Sequence, residues 1–242
     1  MDRHYLTPLF DPRSIVVFAG DPAADPPCRE AAILRKAMAD GQYKGAVTWL
    51  DVAMTGTLAE LAQSRADLAL IALPHDQNLA ALEVVGRVRC RAALILSTGM
   101  SAAQCNELHQ TARRYGVNLL GPNTMGLQRP AKGLNAGSLG SLAAAGPLAL
   151  VSQSGALTSA MLDWADRQGV GFSAVISLGP NTAVELPQVL DFLANDGSTQ
   201  SILVYMEGIR HARRFMSALR AAAYAKPVVV LKSGRKASGS RV

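Results

Sequence analysis

Cysteine and histidine are too sparse and too scattered in this sequence to build a metal centre. The three cysteines (Cys28, Cys90 and Cys105) are an odd number with no CxxC spacing, and His4, His75, His109 and His211 stand far apart. The expectation is reduced thiols in a cytoplasmic protein, with no metal ligands. Aromatics make up 5% of the residues, which leaves few rings for stacking on bases. The net charge of +6 is dispersed, as Arg113-Arg114, Arg213-Arg214 and the C-terminal residues, so no nucleic-acid partner is expected. No apolar run approaches the ~18 residues of a membrane span. Met1–Tyr5 lacks the apolar stretch of a secretory signal, and no membrane partner is expected. A GxGxxG fingerprint is also missing. That counts against an NAD(P)-binding oxidoreductase domain, although Asp51 follows a strand where a ribose-binding acid would stand.

What is present is an alternation of short β-branched runs with amphipathic segments. Strands are expected at Ser14–Ala19, Ala46–Leu50, Leu68–Leu73, Ala92–Leu96 and Val117–Leu120. Helices between them are expected near Arg29–Ala39, Leu58–Ser64, Asn78–Val88 and Ala102–Tyr115. The Gly/Pro/Ser-rich span from Gly121 to Pro147 reads as an inter-domain connection. Strands then resume at Leu148–Ser152, Phe172–Ser177, Ser201–Met206 and Pro227–Lys232, with helices at Leu157–Gln168, Glu185–Asn195 and Ala212–Ala225. Strands separated by helices imply parallel sheets. Two α/β domains follow, at residues 1–130 and 146–242, each binding ligands at the carboxyl ends of its strands. The tail from Lys236 to Val242 has no apolar periodicity, and the second domain is expected to lack a final βα unit.

Four segments carry chemistry. Leu148–Val151 runs through Ser152-Gln153-Ser154-Gly155 into a helix, which puts hydroxyls and bare N–H groups at a helix start. Such a terminus binds phosphate, and the same residues also serve as ordinary caps. Gly20 ends the first strand, where a Rossmann-like domain meets a nucleotide diphosphate. Gly121-Pro122-Asn123-Thr124-Met125-Gly126 reads as a tight loop, or as a loop whose backbone and Asn123 amide line a cleft. Glu207 follows an apolar strand and precedes Gly208, a position that faces the ligand side of a parallel sheet. A hydrolase built on Ser154 is disfavoured, because the elbow motif needs glycine where Ser152 and Ala156 stand.

In this order, Leu9–Val17, Gly121–Gly126, Val151–Ala156, Tyr205–Ile209 and Lys226–Arg235 resemble the NDP-forming acyl-CoA synthetase family, related to the succinyl-CoA synthetase α subunit. The resemblance implies a Rossmann-like CoA-binding domain followed by a flavodoxin-like, succinyl-CoA synthetase-like domain. It implies CoA or acetyl-CoA as ligand, with its ADP part near Gly20 and its pantetheine toward Pro74, Ser97 and Asn123. Ser152, Ser154 and Gly155 would receive the phosphate of a phosphohistidine that Glu207 orients. That histidine lies beyond Lys232–Arg235 in the family, outside this sequence, as do the regions that use ATP or ADP and Mg²⁺. One departure is the loop after Gly20, where Asp21 and Asp25 would repel CoA phosphates if turned inward.

Leu162–Ala165, Gly171–Ser173 and Ala212–Ala218 further resemble bacterial protein lysine acetyltransferases, in which a synthetase-like region precedes a GNAT domain. The resulting expectation is a regulatory, acyl-CoA-binding N-terminal region of such an acetyltransferase, with protein substrates reached through the further domain. The alternative is the alpha-type part of an ADP-forming acyl-CoA ligase. Homo-oligomers are expected from exposed apolar faces of the second domain.

Overall fold

The structure, a computed structural model, describes residues 4–20, 28–51, 66–180 and 182–234. The helix expected at Leu58–Ser64, the loop carrying Asp21 and Asp25, and the tail from Arg235 lie outside the described residues.

After a short helix α1 (Thr7–Phe10), the first sheet is built from β1 (Ser14–Ala19), β2 (Ala46–Asp51), β3 (Leu68–Ala72), β4 (Ala92–Ile95) and β5 (Asn118–Leu120). All pairings are parallel and the order is β2-β1-β3-β4-β5. Every residue of β3 and β4 is buried, as expected for strands with helices on both faces. Helices α2 (Arg29–Gly41), α3 (Asn78–Arg87) and α4 (Ala102–Tyr115) supply that cover. The ends of α4 are specified locally. Ser101 and Gln104 form a capping box, and Gly116 closes the helix in the left-handed conformation at φ 68°. The strand order reverses between β1 and β3, so the crevice of a doubly wound sheet opens at their carboxyl ends.

The span from Gly121 to Pro147 is not a connection. Residues of β6 (Gly126–Arg129) and β7 (Leu134–Gly137) form an antiparallel hairpin on the edge of the second sheet. β6 pairs antiparallel with β9 (Phe172–Ser177), matching Leu127 to Ile176 and Gln128 to Val175. Residues 126–129, assigned to the first domain by the sequence, thus hydrogen-bond within the second. The remaining strands, β8 (Ala145–Ser152), β9, β10 (Ser201–Met206) and β11 (Val228–Lys232), are parallel, and the full order is β11-β10-β8-β9-β6-β7. Helices α5 (Gly155–Gln168), α6 (Leu186–Asn195) and α7 (Ala212–Ala225) pack against them. The hairpin escapes an alternation test because several of its inward positions are polar. Gln128 and Asn135 are fully buried and satisfy each other, Gln128 Nε2 donating to Asn135 Oδ1 at 3.1 Å.

Arg129, 3% exposed, is the most demanding of these residues. Its Nη2 donates to Asp196 Oδ1 at 3.3 Å and to Ser198 Oγ at 3.0 Å, and lies 3.2 Å from Asp196 Oδ2. Nε and Nη1 are buried without a hydrogen-bond partner. Burial pushes the Asp196 carboxyl up, but Arg129 and the Thr199 and Ser198 hydroxyls outweigh that and hold it below its ordinary value.

The two sheets share one apolar core. Phe10 of α1 lies 4.9 Å, centroid to centroid, from Phe192 of α6, and the buried cluster around them includes β1, β3, β8, β9 and β10. On the opposite face of the second sheet, Val229 and Leu231 of β11 are 56% and 45% exposed.

Candidate ligand cleft and phosphate site

The site is assembled where strands end. β8 stops at Ser152, and α5 begins three residues later at Gly155. Ser152 is fully buried, and its hydroxyl shapes this turn by donating to Ser154 O at 2.9 Å and accepting from Ser154 N at 3.1 Å. Ser154 is the N-cap, with Oγ accepting from Leu157 N at 3.5 Å. Thr158 N is taken by Ser154 O. The N–H groups of Gly155 and Ala156 have no intrahelical acceptor, and the Ser154 hydroxyl keeps its proton free to donate. Those three donors at the positive end of a helix form an anion-binding surface. The cap of the sequence reading is formed, and the N–H donors of Gly155 and Ala156 are left over.

Glu207, exposed, follows β10 on the neighbouring strand. Its backbone N–H donates to Gln153 Oε1 at 2.8 Å, so the loop carrying the carboxylate is tied to the Ser-Gln-Ser-Gly turn. The two halves of the expected phosphate site therefore meet. They flank a recess of about 340 Å³ that Gln153, Glu185, Glu207, Arg210 and His211 help to line. His211 Nε2 stands 3.8 Å from Glu185 Oε1, and Arg210 Nη2 donates to Pro180 O at 2.7 Å.

The residues expected in the first domain line up along its carboxyl edge. Gly20 follows β1, with no neighbour that would exclude a side chain. Pro74 is exposed after β3. Ser97, 2% exposed, follows β4, and its hydroxyl donates to Leu73 O at 2.6 Å with Asn78 Oδ1 at 3.3 Å. Its carbonyl accepts from Asn123 N at 3.1 Å. Ser97 thus positions the loop of Asn123, while its own hydroxyl is engaged within the protein.

Asn123, in the left-handed conformation at φ 58°, lines the larger cavity, about 780 Å³. The walls include Arg29, Glu30, Ile33, Lys36 and Asp40 of α2, Leu96 after β4, and Met125. This cleft lies between the two sheets and is open, with neither Arg29 nor Met125 filling it. Met125, on the wall of this cleft, also packs its thioether against Gly155 at the start of α5. The Gly121–Gly126 loop is held from the second domain. Gly121 N donates to Thr182 Oγ1 at 3.2 Å, Thr124 Oγ1 to Ser177 O, and Met125 N to Ser177 Oγ at 3.3 Å. Lys36 and Gln153 line these cavities without a signal in the sequence that singles them out. Lys36 looks like any solvated helix cation, and Gln153 is hidden among the small residues that make the motif.

Cys28, which caps α2 beside this edge, donates to Ala72 O at 3.3 Å, and burial pushes its thiol above the ordinary value. Among the described residues no three potential metal ligands come together, and no helix is long and apolar enough to cross a membrane.

Comparison with known proteins places these features in a family context. Residues 145–242 match the family model of the succinyl-CoA ligase like flavodoxin domain. The chain is 32% identical over 254 residues to the subunit alpha of acetate–CoA ligase [ADP-forming] I from Pyrococcus furiosus, covering 98% of this chain and 54% of that one. It is 40% identical over 181 residues to acetate–CoA ligase [ADP-forming] I from Archaeoglobus fulgidus, covering 72% of this chain and 26% of that one. Among solved structures, the dinucleotide forming acetyl-coenzyme A synthetase 1 of Ca. Korarchaeum cryptofilum, in complex with phosphate and ADP, superposes with a TM-score of 0.84 at 26% identity. That match covers 98% of this chain and 53% of the other. The chain thus spans between about a quarter and about half of the length of these relatives.

Proposed function

We propose that this chain, which belongs to the NDP-forming acyl-CoA synthetase family, is the alpha-type, CoA-binding part of an ADP-forming acyl-CoA ligase. The observation that carries the reading is the pairing of a cavity with a helix N-terminus. The cavity opens at the first-domain strand ends, its α2 wall carrying Arg29 and Lys36 beside Glu30 and Asp40, and the α5 terminus with its unpaired donors stands on the other side of Met125. CoA has the matching chemistry, a phosphate-bearing nucleotide at one end and a thiol arm at the other. Arg29 and Lys36 would meet its anionic groups, Leu96, Asn123 and Met125 its arm. Beyond Met125, the N–H groups of Gly155 and Ala156 and the Ser154 hydroxyl would hold a phosphoryl group. The helix dipole there favours the charge of an acyl phosphate, or of a phosphohistidine, over its absence. Glu207 would accept a hydrogen bond from that histidine and keep its ring oriented.

The relatives described above favour the ligase reading over the acetyltransferase one, since ADP-forming ligation is what their names record. The GNAT-fused reading rests on sequence likeness in α5, at the start of β9 and in α7 alone. Isothermal titration of the chain with CoA, acetyl-CoA and NAD⁺ tests the proposal. Saturable binding of a CoA species, and none of NAD⁺, is expected. Binding of NAD⁺ alone, or no CoA binding at millimolar ligand, would refute it. ADP-dependent turnover of acetyl-CoA by the full-length protein together with a nucleotide-binding partner subunit would then separate the ligase from the acetyltransferase.

A further inference from the structure

From the geometry around Glu207 we infer that Gln153 is a positioning residue, holding the Glu207 loop in register with the α5 terminus. The inference rests on the ligase reading for its catalytic meaning, but not for its structural content. Ser152 and Ser154 spend their side chains inside their own turn. Gln153 instead sends its side chain across to the next strand. Its Oε1 accepts from Glu207 N at 2.8 Å and from Gly208 N at 3.1 Å. Its own N–H donates to Tyr205 O at 3.1 Å, so backbone and side chain of one residue grip both sides of the β10 end.

Two N–H donors aimed at one amide atom fix the amide's orientation, because the alternative would set an NH₂ group against them. Gln153 also lines the recess with Glu185 and Glu207. The other anchors of this loop are Ser233 N on Met206 O at 3.0 Å, Arg210 on Pro180 O and His211 near Glu185. Gln153 is the anchor at the carboxylate itself. No other side chain among the described residues has a hydrogen bond to the backbone of Glu207 or Gly208.

Amide hydrogen exchange of Glu207 and Gly208, followed by NMR on the chain itself, tests the positioning. Gln153→Leu removes the acceptor and should speed exchange at both amides by about tenfold or more. Gln153→Asn, one methylene too short, should do the same and serves if the leucine variant does not fold. Gln153→Glu keeps an acceptor oxygen in place and should preserve protection. Slow exchange in the leucine and asparagine variants, or loss of protection in the glutamate variant equal to theirs, would overturn the inference. In the assembled ligase, Gln153→Leu should lower kcat by about tenfold or more while leaving KM for CoA within about twofold, with partial rescue by Gln153→Glu. A merely structural role would move both constants or neither. Absence of CoA binding in the unaltered chain would defeat the ligase reading and leave the exchange result standing.

Discussion

Asp196→Ala is expected to destabilise the protein by about 3–5 kcal/mol, because it leaves the Arg129 guanidinium buried and uncompensated. Two of the Arg129 nitrogens already lack hydrogen-bond partners, so its desolvation is offset by the bonds to Asp196 and Ser198 and by the Phe192 ring 5.8 Å away. Denaturant unfolding measures the loss, and the double variant Arg129→Met with Asp196→Ala should recover most of it, since no charge is then stranded. A cost below about 1 kcal/mol in the single variant would mean that water reaches the guanidinium. The pair also sets a pH dependence. The Asp196 carboxyl titrates lower in the folded protein than the ordinary 3.8 of an unfolded chain. Its contribution is therefore full above that value and is lost as pH falls through the lower folded one. Asp196→Asn should flatten this acid limb of the stability profile, and an unchanged slope would assign the limb to other carboxylates.

Gly179→Ala is the second large effect. A Cβ at Gly179 would run into the carbonyl of Asn123 and close on Thr124 N at 3.1 Å, both backbone atoms that no side-chain rotation relieves. Overpacking of this kind costs about 1–3 kcal/mol. The functional loss should be larger than the stability loss suggests, because the displaced segment is the one that lines the cleft. CoA affinity should fall by about tenfold or more, measured by titration well below the melting temperature. Reduced stability with unchanged affinity would show that the Asn123 backbone stands outside the ligand site.

The sequence conveyed the parallel portions of both sheets because each strand there is a short run of Val, Ile, Leu or Ala between helices with a clear apolar stripe. Ser14–Ala19, Ser201–Met206 and the end of α5 at Gln168 fall where periodicity puts them. It conveyed the hairpin of β6 and β7 poorly because Gln128, Arg129 and Asn135 are buried by partners that lie elsewhere in the chain. Asp196 sits 67 residues from Arg129, and no local pattern links them. The phosphate motif was legible for a similar reason in reverse, since a strand, two serines, a glycine and a helix are all local. Gln153 was not, because its partners at Glu207 and Gly208 come together only when β8 and β10 pair. Resemblance to a family supplied the ligand's name. Geometry alone set Met125, on the wall of the Asn123 cavity, against Gly155.

Helix α2 of the first domain rests on β7, the edge strand of the second. Gly41 abuts the Gly133 carbonyl, and Asp40 Oδ2 accepts from Leu142 N at 2.9 Å. With the Phe10–Phe192 contact, this joins the sheets at the helix layer as well as at the cleft. Neither half then has a transition of its own. Calorimetry should record one endotherm whose van't Hoff and calorimetric enthalpies agree, and a ligand seated in the cleft should carry the whole chain upward in temperature together.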